Sequence, residues 1–398
     1  METLKIEQIE LLLLVGAVVT IAARRFRIPY TVGLVSAGIF IAFLPWKFDV
    51  NLSKDLLFNV LLPPLIFEAA LYIDWRELRK DLTVVATFAT IGVLLSAFVT
   101  ALIMRFFVGW DWGAAIVFGV LIAATDPVSV IATFKEAKVE GRLRLLVEAE
   151  SLFNDATAAV AFTVAIAFAV GSDFGFASSL WTMFLSVAGG AFCGLVVGGA
   201  ILLLSTRTGD HLVEIALTTI AAFGSFWAAE HFHVSGILAT LTAGLLVGNT
   251  SSLNIFSNKG AQIIEPFWEF AAFAANSIIF IVLGINVAAQ DFAGAIFSIF
   301  VAIVAVLVGR AIAIYPVSIL FSRGSLKIDL PHQHVLFWGG LRGALALALC
   351  LGIPETVAHR RAIILATFGV VAFSVFAQGL TMPAFLRRTG QIPHQKEV

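Results

Sequence analysis

The chain has 398 residues, of which 60% are hydrophobic and 13% charged, with a formal net charge of -1. Soluble domains carry about 25% charged residues, so this composition excludes a string of soluble domains and implies an integral membrane protein. The near-zero net charge excludes a basic nucleic-acid binder. Cys193 and Cys350 stand singly in apolar runs, without the spacing that a disulfide or a zinc site needs.

A hydrocarbon core about 30 Å thick calls for about 20 apolar residues per helix. Cutting the chain at charges, prolines and polar clusters leaves thirteen candidate spans, at 9–24, 29–46, 53–73, 82–107, 112–134, 145–170, 179–204, 210–231, 234–249, 261–287, 292–322, 332–351 and 360–381. The predicted fold is therefore an all-α polytopic membrane protein. A barrel is excluded, because the runs are too long and do not alternate. No loop is long enough to form a domain, so residues 1–398 read as a single transmembrane unit with a short tail at 384–398. Glu2, Glu7 and Glu10 stand where a signal peptide carries positive charge, so the first span is expected to be retained.

Most lysines and arginines fall after the odd-numbered spans, among them Arg24 and Arg25, Arg76, Arg79 and Lys80, Arg142 and Arg144, and Arg387 and Arg388. The opposite loops hold few, such as Lys54, Arg105, Arg360 and Arg361. The positive-inside rule then predicts an outside N-terminus and a cytoplasmic C-terminus.

An ionised side chain inside a span costs at least about 2.5 kcal/mol, so each needs a partner, a cavity or a function. With a rise of 1.5 Å per residue, Asp126 lies about 12 Å from the cytoplasmic end of the fifth span and Asp155 about 15 Å along the sixth. The same arithmetic puts Arg310 at about 18 Å, Arg342 at about 15 Å, and Glu68 and Glu150 at about 8 Å. These six are expected to form one layer.

Thr125-Asp126-Pro127 sets a proline in mid-span, where it removes a backbone hydrogen bond and predicts a helix break. In the twelfth span, Gly339-Gly340-Leu341-Arg342-Gly343 offers a second weak point. Paired interruptions in two halves point to a transporter site built from broken helices in inverted repeats. Spans 1–6 (about 9–170) and 8–13 (about 210–381) then form the repeats, and 179–204 connects them.

In the sixth span, Ser151 stacks one turn below Asp155, and Glu150 one turn below Asn154. The second stripe can offer Glu150 to Arg310, which cannot lose its charge and so requires an anion. A structural role for that pair outweighs a transporting one. For Asp126 and Asp155 the balance reverses, since neither has a cation nearby in sequence and one adjoins a helix breaker. Glu68, after Pro63-Pro64, fits ion access and packing equally. Glu148 reads as a helix-end charge near Arg142 and Arg144. Solvation accounts for Glu214, Glu230, Glu265 and Glu269 as well as function does, and the His231/His233 and His332/His334 pairs read as interfacial rather than metal-binding.

Ala124-Thr125-Asp126-Pro127-Val128, Glu150-Ser151-Leu152-Phe153-Asn154-Asp155, Gly340-Leu341-Arg342-Gly343-Ala344 and Gln378-Gly379-Leu380-Thr381-Met382-Pro383 together resemble the signatures of the NhaP/NHE-type sodium/proton antiporters of the monovalent cation:proton antiporter superfamily. The resemblance runs over nearly the whole chain. It implies an NhaA-like fold with broken helices in spans 5 and 12, a moving core domain and a homodimer in the cell membrane. It further implies that Asp155 is the main ion and proton carrier, with Asp126, Ser151, the Thr125 backbone and Glu68 at the Na+ site. Glu150 with Arg310 would be the buried structural pair, Asn154 the mark of electroneutral exchange, and Arg342, Gly339 and Gly340 supporting residues. Ala149 departs from the glycine usual before the motif's glutamate, and the long regulatory tail of animal exchangers is absent, so a prokaryotic-type antiporter is expected.

The resemblance implies no cofactor, and Na+, or Li+ or K+, and H+ as cargo. A K+/H+ antiporter of the same fold is the alternative, and a cation channel a remote one. Neither G-x-S-G nor G-x-G-D occurs, which argues against an intramembrane protease.

Overall fold

The structure is a computed structural model that describes residues 6–26, 28–44, 53–126, 128–137, 139–171, 175–250, 255–324 and 326–392. The described residues are all-helical. In chain order they form α1 (Ile6–Phe26), α2 (Tyr30–Ala42), α3 (54–71), α4 (Trp75–Val108), α5 (Trp112–Leu121), α6 (Val128–Ala137), α7 (Arg142–Ala169) and α8 (Phe176–Ser205). There follow α9 (His211–His231), α10 (Gly236–Gly248), α11 (Asn258–Ala289), α12 (Ile296–Ile319), α13 (Leu330–Trp338), α14 (Ala344–Leu351) and α15 (Arg360–Arg388). Seven of them, α4, α7, α8, α9, α11, α12 and α15, are long and apolar enough to cross a membrane, by length and composition.

Helix starts follow local chemistry. The carboxylates of Asp74, Asp111 and Asp210 accept from the amides of Arg76, Ala114 and Leu212, and the hydroxyls of Ser235 and Ser257 accept from those of Leu238 and Gly260. Each satisfies one of the amides that a helix start leaves without a partner. Within α3, a wider turn at 57–61 precedes Pro63 and Pro64, which enter at the next helical segment, where a missing amide costs least.

The helices pack as two groups. α1, α2 and α3 pack with α9, α10 and α11, the closest pairings being α2 on α11 and α3 on α10. α4, α5 and α7 pack with α12 and α15, and the short α13 and α14 join them. α8 lies against α10 and makes a lesser contact with α7. At the α2–α11 crossing, Gly38 faces the Ile281 carbonyl and Gly284 faces that of Val35, so a methyl group at either position would strike backbone. Small residues at such crossings let helices interlock where no hydrophobic force drives them together.

Two segments depart from helix in mid-path, 122–126 between α5 and α6, and 339–343 between α13 and α14. Both are where the sequence predicts breaks. Pro127 itself lies outside the described residues.

Candidate functional site

The two non-helical segments touch: the Asp126 amide donates to the Leu341 carbonyl at 2.8 Å. Four half-helix ends therefore meet at one place, and their unpaired backbone groups decide which side chains fit there. At the starts of α6 and α14 the free groups are amides. Asp126 Oδ1 accepts from the Val128 amide at 2.9 Å, and the Ala344 amide also faces this carboxylate. A side chain at Gly343 would collide with the Asp126 carboxyl group, so the close approach depends on glycine.

At the ends of α5 and α13 the free groups are carbonyls. Arg342 Nη1 donates to the carbonyls of Ala123 at 2.6 Å and Ala124 at 3.0 Å. Arg310 donates from Nη2 to the Leu336 carbonyl at 2.8 Å, and Gln378 Nε2 donates to that of Trp338 at 3.1 Å. Any side chain at Gly340 would meet the Arg310 guanidinium, while Gly339 takes the turn that leaves α13. Acids stand at helix starts and arginines at helix ends, as the helix dipoles require.

From α7 a polar network ties these ends together. Arg310 holds Glu150 through two hydrogen bonds, Nη1 to Oε1 at 2.7 Å and Nη2 to Oε2 at 3.0 Å. Glu150 Oε1 also accepts from Asn154 Nδ2 at 3.1 Å, one turn up the helix as the wheel predicts. Asn154 Nδ2 donates to Thr125 Oγ1 at 2.6 Å, and Asn154 Oδ1 accepts from the Thr125 amide at 3.1 Å. The Thr125 and Ser151 hydroxyls lie 2.9 Å apart. Glu150 is 2% exposed, Arg310 6% and Asn154 0%. With both charges fully bonded, this pair meets the condition under which a buried ion pair is tolerated.

Asp155 and Asp126 differ from this set. Both are half-buried, both line one cavity, and each keeps one buried oxygen, Asp155 Oδ1 and Asp126 Oδ2, without a hydrogen-bond partner. Two carboxylates with spare oxygens in the wall of one cavity form a donor set suited to a hard monovalent cation or a proton, which compete for the same charge.

The six charges expected in one layer divide by their surroundings. Asp126, Asp155 and Glu68 line the cavity, whereas Glu150, Arg310 and Arg342 are sealed behind it. Thr125 is in the cavity wall, and Ser151 is turned to Thr125 rather than to the cavity. The direction each side chain takes from its helix separates them, which rise per residue along a span does not reveal.

Several residues carry roles that the sequence does not reveal. Asn276 from α11 lines the cavity and keeps a buried Oδ1 unpartnered, beside Tyr30. Glu148, which reads from sequence as a helix-end charge, is also in the cavity wall, paired to Arg144 at 2.7 Å. Glu214, for which solvation is as good an account as function in the sequence, is 0% exposed and accepts from the Ser257 amide and hydroxyl, both at 2.9 Å. It anchors the start of α11, where an anion complements the helix dipole. Gln378, part of a motif with no role evident from sequence, caps α13.

Known proteins resemble this chain over most of its length. Residues 11–388 match the family described as sodium/hydrogen exchanger, transmembrane. The chain is 37% identical over 377 residues to the low-affinity Na+/H+ antiporter NhaS1 of Synechocystis sp., covering 93% of this chain and 71% of that protein. It is 39% identical over 369 residues to the Na+/H+ antiporter ApNhaP of Aphanothece halophytica, covering 92% and 70%. Against the Na+/H+ antiporter NhaH of Halobacillus aidingensis, identity is 32% over 397 residues, covering 96% and 97%. Among solved structures, the sodium proton antiporter MjNhaP1 of Methanocaldococcus jannaschii superposes with a TM-score of 0.75 at 18% identity, covering 96% of this chain and 98% of that one. At that identity the superposition speaks for the fold.

Proposed function

The chain belongs to the sodium/hydrogen exchanger family, and on that premise we propose that it exchanges Na+ for H+ across the membrane by alternating access, with Asp155 as the main carrier and Asp126 beside it. The observation that carries this reading is the pair of half-buried carboxylates, each with a spare buried oxygen, at the crossing of two broken helices. Thr125 and Glu68, in the same cavity wall, are the further oxygens an arriving Na+ would meet, and Ser151 acts through Thr125.

One carboxylate that holds either a proton or a sodium ion is sufficient for exchange, provided that only loaded forms cross. Asn154 is neutral and the Glu150–Arg310 pair is self-compensated, so each loaded form carries the same charge. The stoichiometry is therefore one Na+ per H+, without net charge transfer. Arg342 and Arg310 hold the helix ends in place and do not meet the cargo.

The cavity opens toward the end of α3 and the start of α7, past Glu68, Tyr72, Arg144 and Glu148. Arg76, Arg79, Lys80 and Arg142 lie at that same end, and the positive-inside rule makes it the cytoplasmic one. The conformation is thus inward-facing, with the N-terminus outside and the C-terminus in the cytoplasm. The thirteen-span NhaA-like arrangement follows if α5 with α6, and α13 with α14, each make one broken crossing. α4–α7 with α12–α15 then form the moving core, and α1–α3 with α9–α11 the scaffold of a homodimer in a prokaryotic-type cell membrane.

The test is flux in proteoliposomes. A Na+ gradient must drive protons the other way at a rate unchanged when the membrane potential is clamped at different values. Proton movement that ignores Na+, or a rate that follows voltage alone, contradicts the reading.

A further inference from the structure

The α7 face that brings Asp155 to the cavity continues toward the start of that helix. Leu152, Glu148 and Arg144 precede Asp155 at helical spacing, and all four line the same cavity. Arg144 Nε donates to Glu148 Oε1 at 2.7 Å, with the two side chains 25% and 11% exposed. Counting back from Asp155, Glu148 lies about 10 Å and Arg144 about 16 Å along the helix axis. Glu68 and Tyr72 on α3 are in the same wall. Anything that reaches Asp155 through this opening passes the pair.

Local helix chemistry does not account for Arg144. α7 starts at Arg142, where the helix dipole is positive and a cation is disfavoured. An arginine four residues before a glutamate is also the weaker order for such a pair. Arg142, in the same turn, has a plain structural role, since it binds Asp81 at 2.7 Å and the carbonyls of Leu326 and Lys327, joining α7 to α4 and to the chain before α13. The hydrogen bond that Arg144 makes among the described residues is to Glu148, within its own helix. What remains is a carboxylate in the path of the cargo that already carries a cation.

We propose that Glu148 is a staging ligand for the transported monovalent cation, and that Arg144 is the resident counter-ion which the arriving cation displaces. The inference rests on the antiport reading above and adds a second, outer stop on the route to Asp155. Arg144 swings toward water when Na+ takes its place, and returns when the ion moves inward. The pair thus sets the apparent affinity for Na+ from this side.

The experiment measures the KM for Na+ in everted membrane vesicles carrying the full chain. Glu148→Gln should raise KM and Arg144→Gln should lower it, each by about fivefold, the upper range for a partly exposed pair, with a smaller change in maximal rate. A purely structural pair moves both variants the same way, so the opposite signs are decisive. Shifts in the same direction, or both values within about twofold of the wild type, overturn the proposal. If a single variant does not fold, as judged by size-exclusion behaviour in detergent, the double Arg144→Gln/Glu148→Gln replaces it. That double must show the raised KM of a lost carboxylate, and a wild-type KM there contradicts the inference. Wild-type vesicles with no Na+-coupled proton movement would instead defeat the antiport reading itself.

Discussion

At 122–126 the chain interrupts a helix with an acid, Asp126, and at 339–343 with a base, Arg342, and the two segments bond to each other through Asp126 and Leu341. The backbone events match, yet the side chains have different fates. Asp126 faces a cavity and keeps one oxygen free, whereas Arg342 is 1% exposed and spends Nη1 on two carbonyls. The same contrast separates Asp155 from Glu150, five residues apart on α7: one opens to the cavity, and the other is saturated by Arg310 and Asn154. A membrane protein can thus hold several buried charges for opposite reasons. Those turned away from the cavity hold the backbone breaks in shape, whereas the two carboxylates in its wall each keep an oxygen without a partner.

That division can be broken from the sealed side first, where the largest effect is expected. Arg310→Ala leaves Glu150 buried without its cation and the Leu336 carbonyl without its donor, at a cost of about 3–5 kcal/mol. Thermal unfolding in detergent should fall accordingly, and replacing Glu150 and Arg310 together by apolar residues should recover much of the loss. A full loss in the double as well would mean that the pair does more than compensate itself.

Gly343→Ala comes next. The added methyl strikes the Asp126 carboxyl group, and overpacking of this kind costs about 1–3 kcal/mol. Because the collision is with a cavity residue, exchange should fall more steeply than thermal stability, measured on the same preparation. Equal falls would place Asp126 on the structural side of the comparison.

Ser151→Ala should do least. It removes one hydroxyl contact to Thr125, worth about 0.5–1.5 kcal/mol, and leaves both cavity carboxylates in place. A rise in KM for Na+ of a few-fold with little change in melting temperature is the expected result in vesicle flux. Complete loss of exchange would show that Ser151 meets the ion directly rather than through Thr125.

Much of this is readable in the chain. Apolar runs locate the helices, because a bilayer demands such runs, and the glycines around Arg342 mark one break as Asp126 beside Pro127 marks the other. Helical spacing correctly joins Glu150 to Asn154 and offers Glu150 to Arg310. What stays hidden depends on direction rather than depth. Rise per residue gives the six charges one level, and only packing shows which of them turn to the cavity. Glu214 resembles a solvated helix-end charge in the sequence because its partner, Ser257, lies 43 residues away at the start of another helix. Asn276 carries no signal beyond a polar residue in an apolar run, and Arg144 with Glu148 resembles ordinary loop-proximal charge until the cavity is seen to reach them.

The central claim, that cargo is carried by the unsaturated carboxylates, is tested most directly by sodium-driven proton flux in proteoliposomes of the wild type and Asp155→Asn. The substitution keeps the shape of the side chain and removes its ability to carry a proton or balance a sodium ion. Exchange should disappear while the variant elutes and melts like the wild type; exchange that persists unchanged would contradict the account.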